Sequence, residues 1–221
     1  RICHFDRLLS EYPGVLCVPA LFETPRKTVY FAFPCPPGPF QPGNTLLETG
    51  KTGHPVYPVR RYPRQPKGVF SRCHFPKKGE EWNDDLLKIE AFGSTDIGIS
   101  FLLDVADKRI FHAGDLNNWH WEDESTPAEI REAANFYHQE LETLARETDY
   151  VDLALFPVDP RLGKDYTRGA REFVDRIHTL QFAPMHFWEK YEKANAFREY
   201  VEKRGGRFLA IGKPGEEKTI N

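Results

Sequence analysis

Asp115 closes the string His112-Ala113-Gly114-Asp115 and follows Arg109–Phe111, an apolar run of strand character. A carboxylate straight after a strand, preceded by a glycine that lets the backbone turn sharply, stands where a fold can offer it to a ligand. His186, in Pro184-Met185-His186-Phe187-Trp188, holds a similar place after the short apolar run Leu180–Ala183. Taken alone, such a histidine is either a structural hydrogen-bonding residue or a ligand. Asp159 and Arg161, in Phe156–Gly163, follow a third apolar run. They either face the same cleft as Asp115, since loops after strands collect on one edge of a sheet, or pair with each other and stiffen their loop. Asp96 in Ser94-Thr95-Asp96 is an oxygen donor for a hard metal at best. His112 either hydrogen-bonds its own loop or supports a ligand from behind. Asn117 and Trp188 complete the candidates, as supporting or substrate-binding residues.

The elements that must position these residues read as follows. Ile97–Leu103 and Arg109–Phe111, joined by the polar Asp104–Lys108, form a β-hairpin, with Leu87–Phe92 as a strand before it. The stretch Leu116–Trp121 is too bulky for a tight turn. Its two tryptophans either wall the site or are plain buried packing. Thr126-Pro127-Ala128-Glu129 is a capping box with proline at the first helical position, and Ile130, Ala134, Tyr137, Leu141 and Leu144 fall on one stripe of a helix running to about Glu147. His138 on that helix is expected on the solvent side. Val151–Phe156 reads as a buried strand, Tyr166–Thr179 as a helix with His178 near its C-terminal dipole, Trp188–Arg204 as a long helix and Arg207–Ile211 as a last strand. At the other end, residues 4–12 read as a short helix and Val15–Val18 as a strand.

Composition bounds the answer. The chain has 221 residues, 40% hydrophobic and 14% aromatic, enough for one good-sized core in a single domain. No run approaches the roughly 18 to 20 apolar residues of a membrane span, and no signal-peptide pattern opens the chain, so a cytoplasmic protein is expected. The four cysteines, at 3, 17, 35 and 73, form no C-x-x-C pair. Residues 24–85 change character: prolines and glycines crowd the stretch, and Val56–Lys78 holds basic residues interleaved with aromatics and no acid. An irregular insertion is expected there. The same segment is either a solvated loop or a surface for nucleic acid, in which basic side chains hold phosphates and rings stack on bases.

Taken together, the strings S-T-D-x-G at Ser94–Gly98, H-A-G-D-L-N-x-W-x-W at His112–Trp121, D-P-R-L-G at Asp159–Gly163 and P-M-H-F-W at Pro184–Trp188 resemble an uncharacterised branch of the metallo-β-lactamase superfamily. With them goes the opening His4–Val15. The resemblance covers about the last 130 residues well and the first 20 loosely, and nothing in 24–85. It implies an α/β domain of the αββα sandwich type, incomplete at the N-terminus, whose ligands come from loops at one edge. It also implies a metal site of His4, Asp115 and His186, with Asp115 at the catalytic centre. His4 stands for the last histidine of the family's H-x-H-x-D-H motif. Cys3 then occupies the aspartate's position and could serve as a thiolate donor. Arg1 takes the second histidine's place, so most of that motif is absent, and a fragment of a longer protein is expected. The surviving set suits zinc first, iron or manganese second, at one site rather than two.

Two functions follow. One is a metal-dependent hydrolase acting on a small-molecule ester, lactone, amide or phosphoester. The other is a non-catalytic relative binding nucleic acid or an acidic partner through the Val56–Lys78 segment.

Overall fold

In a computed structural model of the chain, the structure describes residues 22–23, 28–29, 76–213 except 84, 86 and 106, and Glu216 and Lys218. The chain divides into two compact units, Arg1–Phe75 and Pro76–Asn221. In the first, β1 (Phe22–Glu23) and β2 (Thr28–Val29) pair antiparallel, Phe22 opposite Val29. The helix expected over 4–12, the strand Val15–Val18, Cys3, His4 and residues 56–75 of the basic segment lie outside the described residues.

The second unit carries the sheet that matters for function. Its strands are β3 (Glu81–Asn83), β4 (Leu87–Phe92), β5 (Ser100–Val105), β6 (Lys108–His112), β8 (Leu153–Pro157), β10 (Gln181–Met185) and β11 (Arg207–Phe208). A separate parallel pair joins β7 (Tyr150–Val151) to β9 (His178–Thr179). Across the large sheet the order is β11-β10-β8-β6-β5-β4-β3. The half from β11 to β6 is parallel and the half from β6 to β3 is antiparallel. The mixed α/β architecture therefore agrees with the sequence.

The hairpin β5–β6 forms as expected, but it is shorter at its start and tighter at its turn. Ile97 is 61% exposed in the preceding loop, where Gly98 takes a left-handed φ of 87°, and Asp107 at the turn has a φ of 59°. Regular structure also begins before residue 85, since β3 pairs with β4 through Trp82 opposite Ile89.

Helix α1 (Pro127–Glu147) has the bounds and capping box read from the sequence: Thr126 accepts from the Glu129 backbone and the Glu129 carboxylate accepts from the Thr126 backbone. Tyr137, Leu141 and Leu144 are buried on its inner side. His138 is half exposed, 3.4 Å from Glu172. The next helix, α2 (Arg168–Arg176), is shorter than expected, because a 3-10 turn over Pro160–Asp165 precedes it and His178 leaves it for β9. The expected long C-terminal helix is two short ones, α3 (Tyr191–Asn195) and α4 (Arg198–Glu202). Trp188 and Glu189 have φ of 48° and 61°, which no right-handed helix tolerates, so helix formation waits until residue 191.

One face of the sheet packs on these helices. Phe111, Phe156 and Phe182 from β6, β8 and β10 meet Phe173 of α2 and Phe197 beside α4, with ring centroids 4.7 Å apart for Phe156 and Phe173 and 5.2 Å for Phe182 and Phe197. The alternate positions, Leu103, Ile110, Leu153 and Leu155, are buried as well. A sheet apolar on both faces needs a covering layer on each, as the inner layer of a sandwich does. Among the described residues no helix is long and apolar enough to cross a membrane.

Lys78, the last residue of the basic segment, donates to the Glu140 carboxylate on α1 at 2.6 and 2.8 Å. It pairs within the fold while its side chain stays 53% exposed.

Candidate active site

Three parallel strands, β6, β8 and β10, end on the same edge. Their register, His112 opposite Leu155 and Met185 opposite Pro157, brings three loops together: 113–121, 158–163 and 186–190. The backbone continues the alignment past the strand ends, with Ala113 N donating to Leu155 O and Val158 N to Met185 O, both at 2.9 Å.

The first loop turns at Gly114, whose φ is 56° and where a Cβ would sit 2.6 Å from Ile99 O. Only glycine meets both demands. His112 Nδ1 accepts from the Gly114 backbone at 3.0 Å, which leaves the ring proton on Nε2 of this buried residue. Burial first, and the neighbouring His186 second, hold His112 down at about 3. Thr95 then fastens the turn. Its hydroxyl donates to Asn117 O at 2.6 Å and accepts from Asn117 N at 2.9 Å. Trp119 Nε1 donates to Asp115 O at 2.8 Å. The Asp115 carbonyl is thus held by Trp119 at 2.8 Å and more loosely by Thr95 at 3.4 Å.

His186 comes from the third loop and points back at Asp115: Nε2 lies 2.9 Å from Asp115 Oδ1, with the two side chains 17% and 24% exposed. Its own φ is 59°, an uncommon left-handed value for a residue with a side chain. The Trp119 ring covers it, centroids 6.0 Å apart and tilted by 60°. Asp96 faces the pair across the site. Its burial, and then the charge of Asp115, push its carboxyl above the usual value, while His186 and Arg161 pull it down.

Asp159 and Arg161, from the second loop, pair with each other. Asp159 is wholly buried and accepts from Arg161 N at 3.0 Å, from Nε at 3.0 and 2.9 Å, and from Nη2 at 2.5 Å. The guanidinium lies 4.7 Å over the Trp188 ring and 5.7 Å over the Trp121 ring. Trp121 in turn stacks on Trp119, centroids 6.1 Å apart. The two tryptophans of the 116–121 stretch therefore wall the site instead of filling the core.

Of the residues singled out from sequence, Asp115 and His186 meet, Asp96 and His112 flank them, and Asp159, Arg161 and Trp188 form the adjoining wall. Asn117 is placed differently: it is fully buried, and a Cβ on Gly169 of α2 would come within 2.0 Å of its Oδ1. It supports the loop from the helix side. His4 lies outside the described residues. Thr95 was not singled out, although its hydroxyl sits in the same Ser94-Thr95-Asp96 string that drew attention to Asp96.

The donor chemistry of Asp115 and His186 suits a divalent metal. Ligand atoms sharing one tetrahedral ion stand roughly 3.4 Å apart, so the 2.9 Å pair needs to open by only about half an ångström. Among the described residues no group of three or more His, Cys, Asp or Glu side chains gathers as a full ligand set.

No family model matches the chain, and no curated protein matches it. Among solved structures it is similar to a metallo hydrolase from the archaeon Ignicoccus hospitalis, with 17% identity over 64% of this chain and 57% of that one, at a TM-score of 0.44. A proposed metal-dependent hydrolase from Parabacteroides distasonis follows, with 16% identity over 62% and 56% and a TM-score of 0.42. A proposed zinc-dependent hydrolase of the metallo-β-lactamase superfamily from Thermotoga maritima shares 22% identity over 57% of each chain, at a TM-score of 0.35. The chain spans little more than half the length of these structures. At this identity and overlap the likeness assigns neither a family nor a reaction.

Proposed function

We propose that the chain is a metal-dependent hydrolase of the metallo-β-lactamase type, with Asp115 and His186 as ligands of one divalent metal, zinc first and iron or manganese second. The observation that carries this reading is the 2.9 Å approach of a carboxylate and an imidazole delivered by two different strand ends. The order of motifs along the sequence supports it, as does the rigidity of the Asp115 turn.

A divalent cation bound there supplies Lewis acidity, lowering the pKa of water toward about 7 and polarising a carbonyl or phosphoryl group. The chain's own residues do the rest. The Trp119 indole holds the Asp115 carbonyl and Thr95 fastens Asn117 two residues on, so the turn that carries the carboxylate is set and only the side chain moves on binding. His112 stays neutral at physiological pH because burial opposes its protonation, so it places no second positive charge beside His186. Trp119 lies against the His186 ring and narrows the approach of solvent to it. The substrate is a small ester, lactone, amide or phosphoester.

Elemental analysis of the purified chain tests the reading. About one zinc, iron or manganese per chain is expected, and Asp115→Ala and His186→Ala should each lose it. Unchanged stoichiometry in both variants would remove the pair from the metal site.

A further inference from the structure

Arg161 is held in a way that its role as a loop brace does not exhaust. A guanidinium carries five N–H donors in a planar fork, and a carboxylate can take its side edge, made by Nε and Nη2, or its end edge, made by Nη1 and Nη2. Asp159 occupies the side edge through Nε and one Nη2 proton. No partner among the described residues takes the Nη1 protons. Two indoles also lie against the guanidinium, Trp188 at 4.7 Å and Trp121 at 5.7 Å. What remains open is the end edge, on a side chain that is still 45% exposed.

The arrangement removes the usual cost of using an arginine. A free arginine side chain has rotamer entropy to lose when it binds. Here the buried Asp159 and the two rings have already fixed the plane, so a ligand meets a preset pair of donors.

The edge also belongs to the reaction centre. Ring contacts run without a break from His186 to Trp119, from Trp119 to Trp121, and from Trp121 to the guanidinium. Asp96 feels Arg161 as well as Asp115 and His186. Arg161 and the Asp115–His186 pair thus stand on one aromatic wall.

We propose that the end edge of Arg161 is the subsite for an anionic group of the substrate, a carboxylate or a phosphate, with Asp159 positioning the fork and Trp121 and Trp188 holding its plane. Both anions present paired oxygens that match the fork. The substrate class of the hydrolase narrows accordingly to esters, lactones or amides bearing a free carboxylate, or to phosphate-bearing molecules. This rests on the reading of Asp115 and His186 as the reaction centre, but anion binding itself does not need the metal.

The test is a titration of the full chain, stripped of metal with a chelator, with sodium formate and separately with inorganic phosphate. Nitrogen–proton NMR spectra follow the Arg161 Nε–H and the indole N–H signals of Trp121 and Trp188. A saturable shift of these signals with at least one anion is expected, and the stronger of the two identifies the group. Arg161→Gln should abolish the response, and Arg161→Lys, which keeps the charge and loses the fork, should weaken it roughly tenfold. Peak dispersion outside the loop reports whether each variant is folded. Asp115→Asn should leave the response in place, so that loss of metal in that variant and loss of anion binding in Arg161→Gln are separate results. The absence of a saturable shift in the wild-type chain, a shift that survives Arg161→Gln, or full affinity in Arg161→Lys would each overturn the proposal.

Discussion

His112 shows how one side chain can shape the behaviour of the site without touching a ligand. Its imidazole is held at about 3 by burial first and by the neighbouring His186 second, against an ordinary value of 6.5. In the unfolded chain the ring protonates below 6.5, so there the unfolded state binds more protons than the folded one. The contribution is fully present above that pH and is lost progressively as pH falls from 6.5 toward 3. Urea midpoints measured across this range should show the decline. His112→Asn, which keeps an acceptor for the Gly114 N–H, should flatten it, and a variant with the same acid slope would show that another group is responsible. Sequence reasoning reached His112 as a loop-bonding residue, which its bond to Gly114 is. It did not reach Thr95, because a threonine after a strand is commonplace and only the fold brings its hydroxyl against Asn117.

The elements differ in how much of themselves the sequence shows. Helix α1 was legible to its last residue because its start is written in local chemistry: Thr126, Pro127 and Glu129 satisfy orphan backbone donors wherever the rest of the chain goes. Replacing Thr126 by Ala should cost about 1 kcal/mol, read as a fall of roughly 2–4 °C in Tm; an unchanged Tm would mean that the first turn is held by packing alone. The region after β10 was not legible. Its helical spacing is genuine, with Ala194, Phe197 and Val201 all buried, yet the left-handed backbone at Trp188 and Glu189 delays the helix, and none of these positions is a glycine that would announce it. The meeting of Asp115 with His186 was reached only through the resemblance, for a different reason. It depends on β8 lying between β6 and β10, a long-range pairing that no local pattern encodes. The Asp159–Arg161 pairing was one of two readings left open, and the structure shows the pairing.

At the scale of the whole second unit, the sheet joins a rigid half to a yielding one. β8 is buried along its whole length and bonded on both sides, while β3 is a three-residue, fully exposed edge strand. Hydrogen exchange should therefore protect the amides of β6, β8 and β10 most and release those of β3 first. Comparable protection of β3 and β8 would contradict this division. The candidate site hangs on the ends of β6, β8 and β10, and β8 is buried along its length and bonded on both sides. The left-handed residues beside it carry a consequence for the history of such a molecule. Trp121, His186, Trp188 and Glu189 each hold a conformation that disfavours a side chain, by about 1–3 kcal/mol apiece. Glycine at any of them would relax the backbone, so a lineage selected for heat resistance alone would drift toward glycine there. The indoles flanking Arg161 would then be among the first parts to vanish, and a descendant with a sturdier fold and a glycine at residue 188 would be one that had ceased to use this wall.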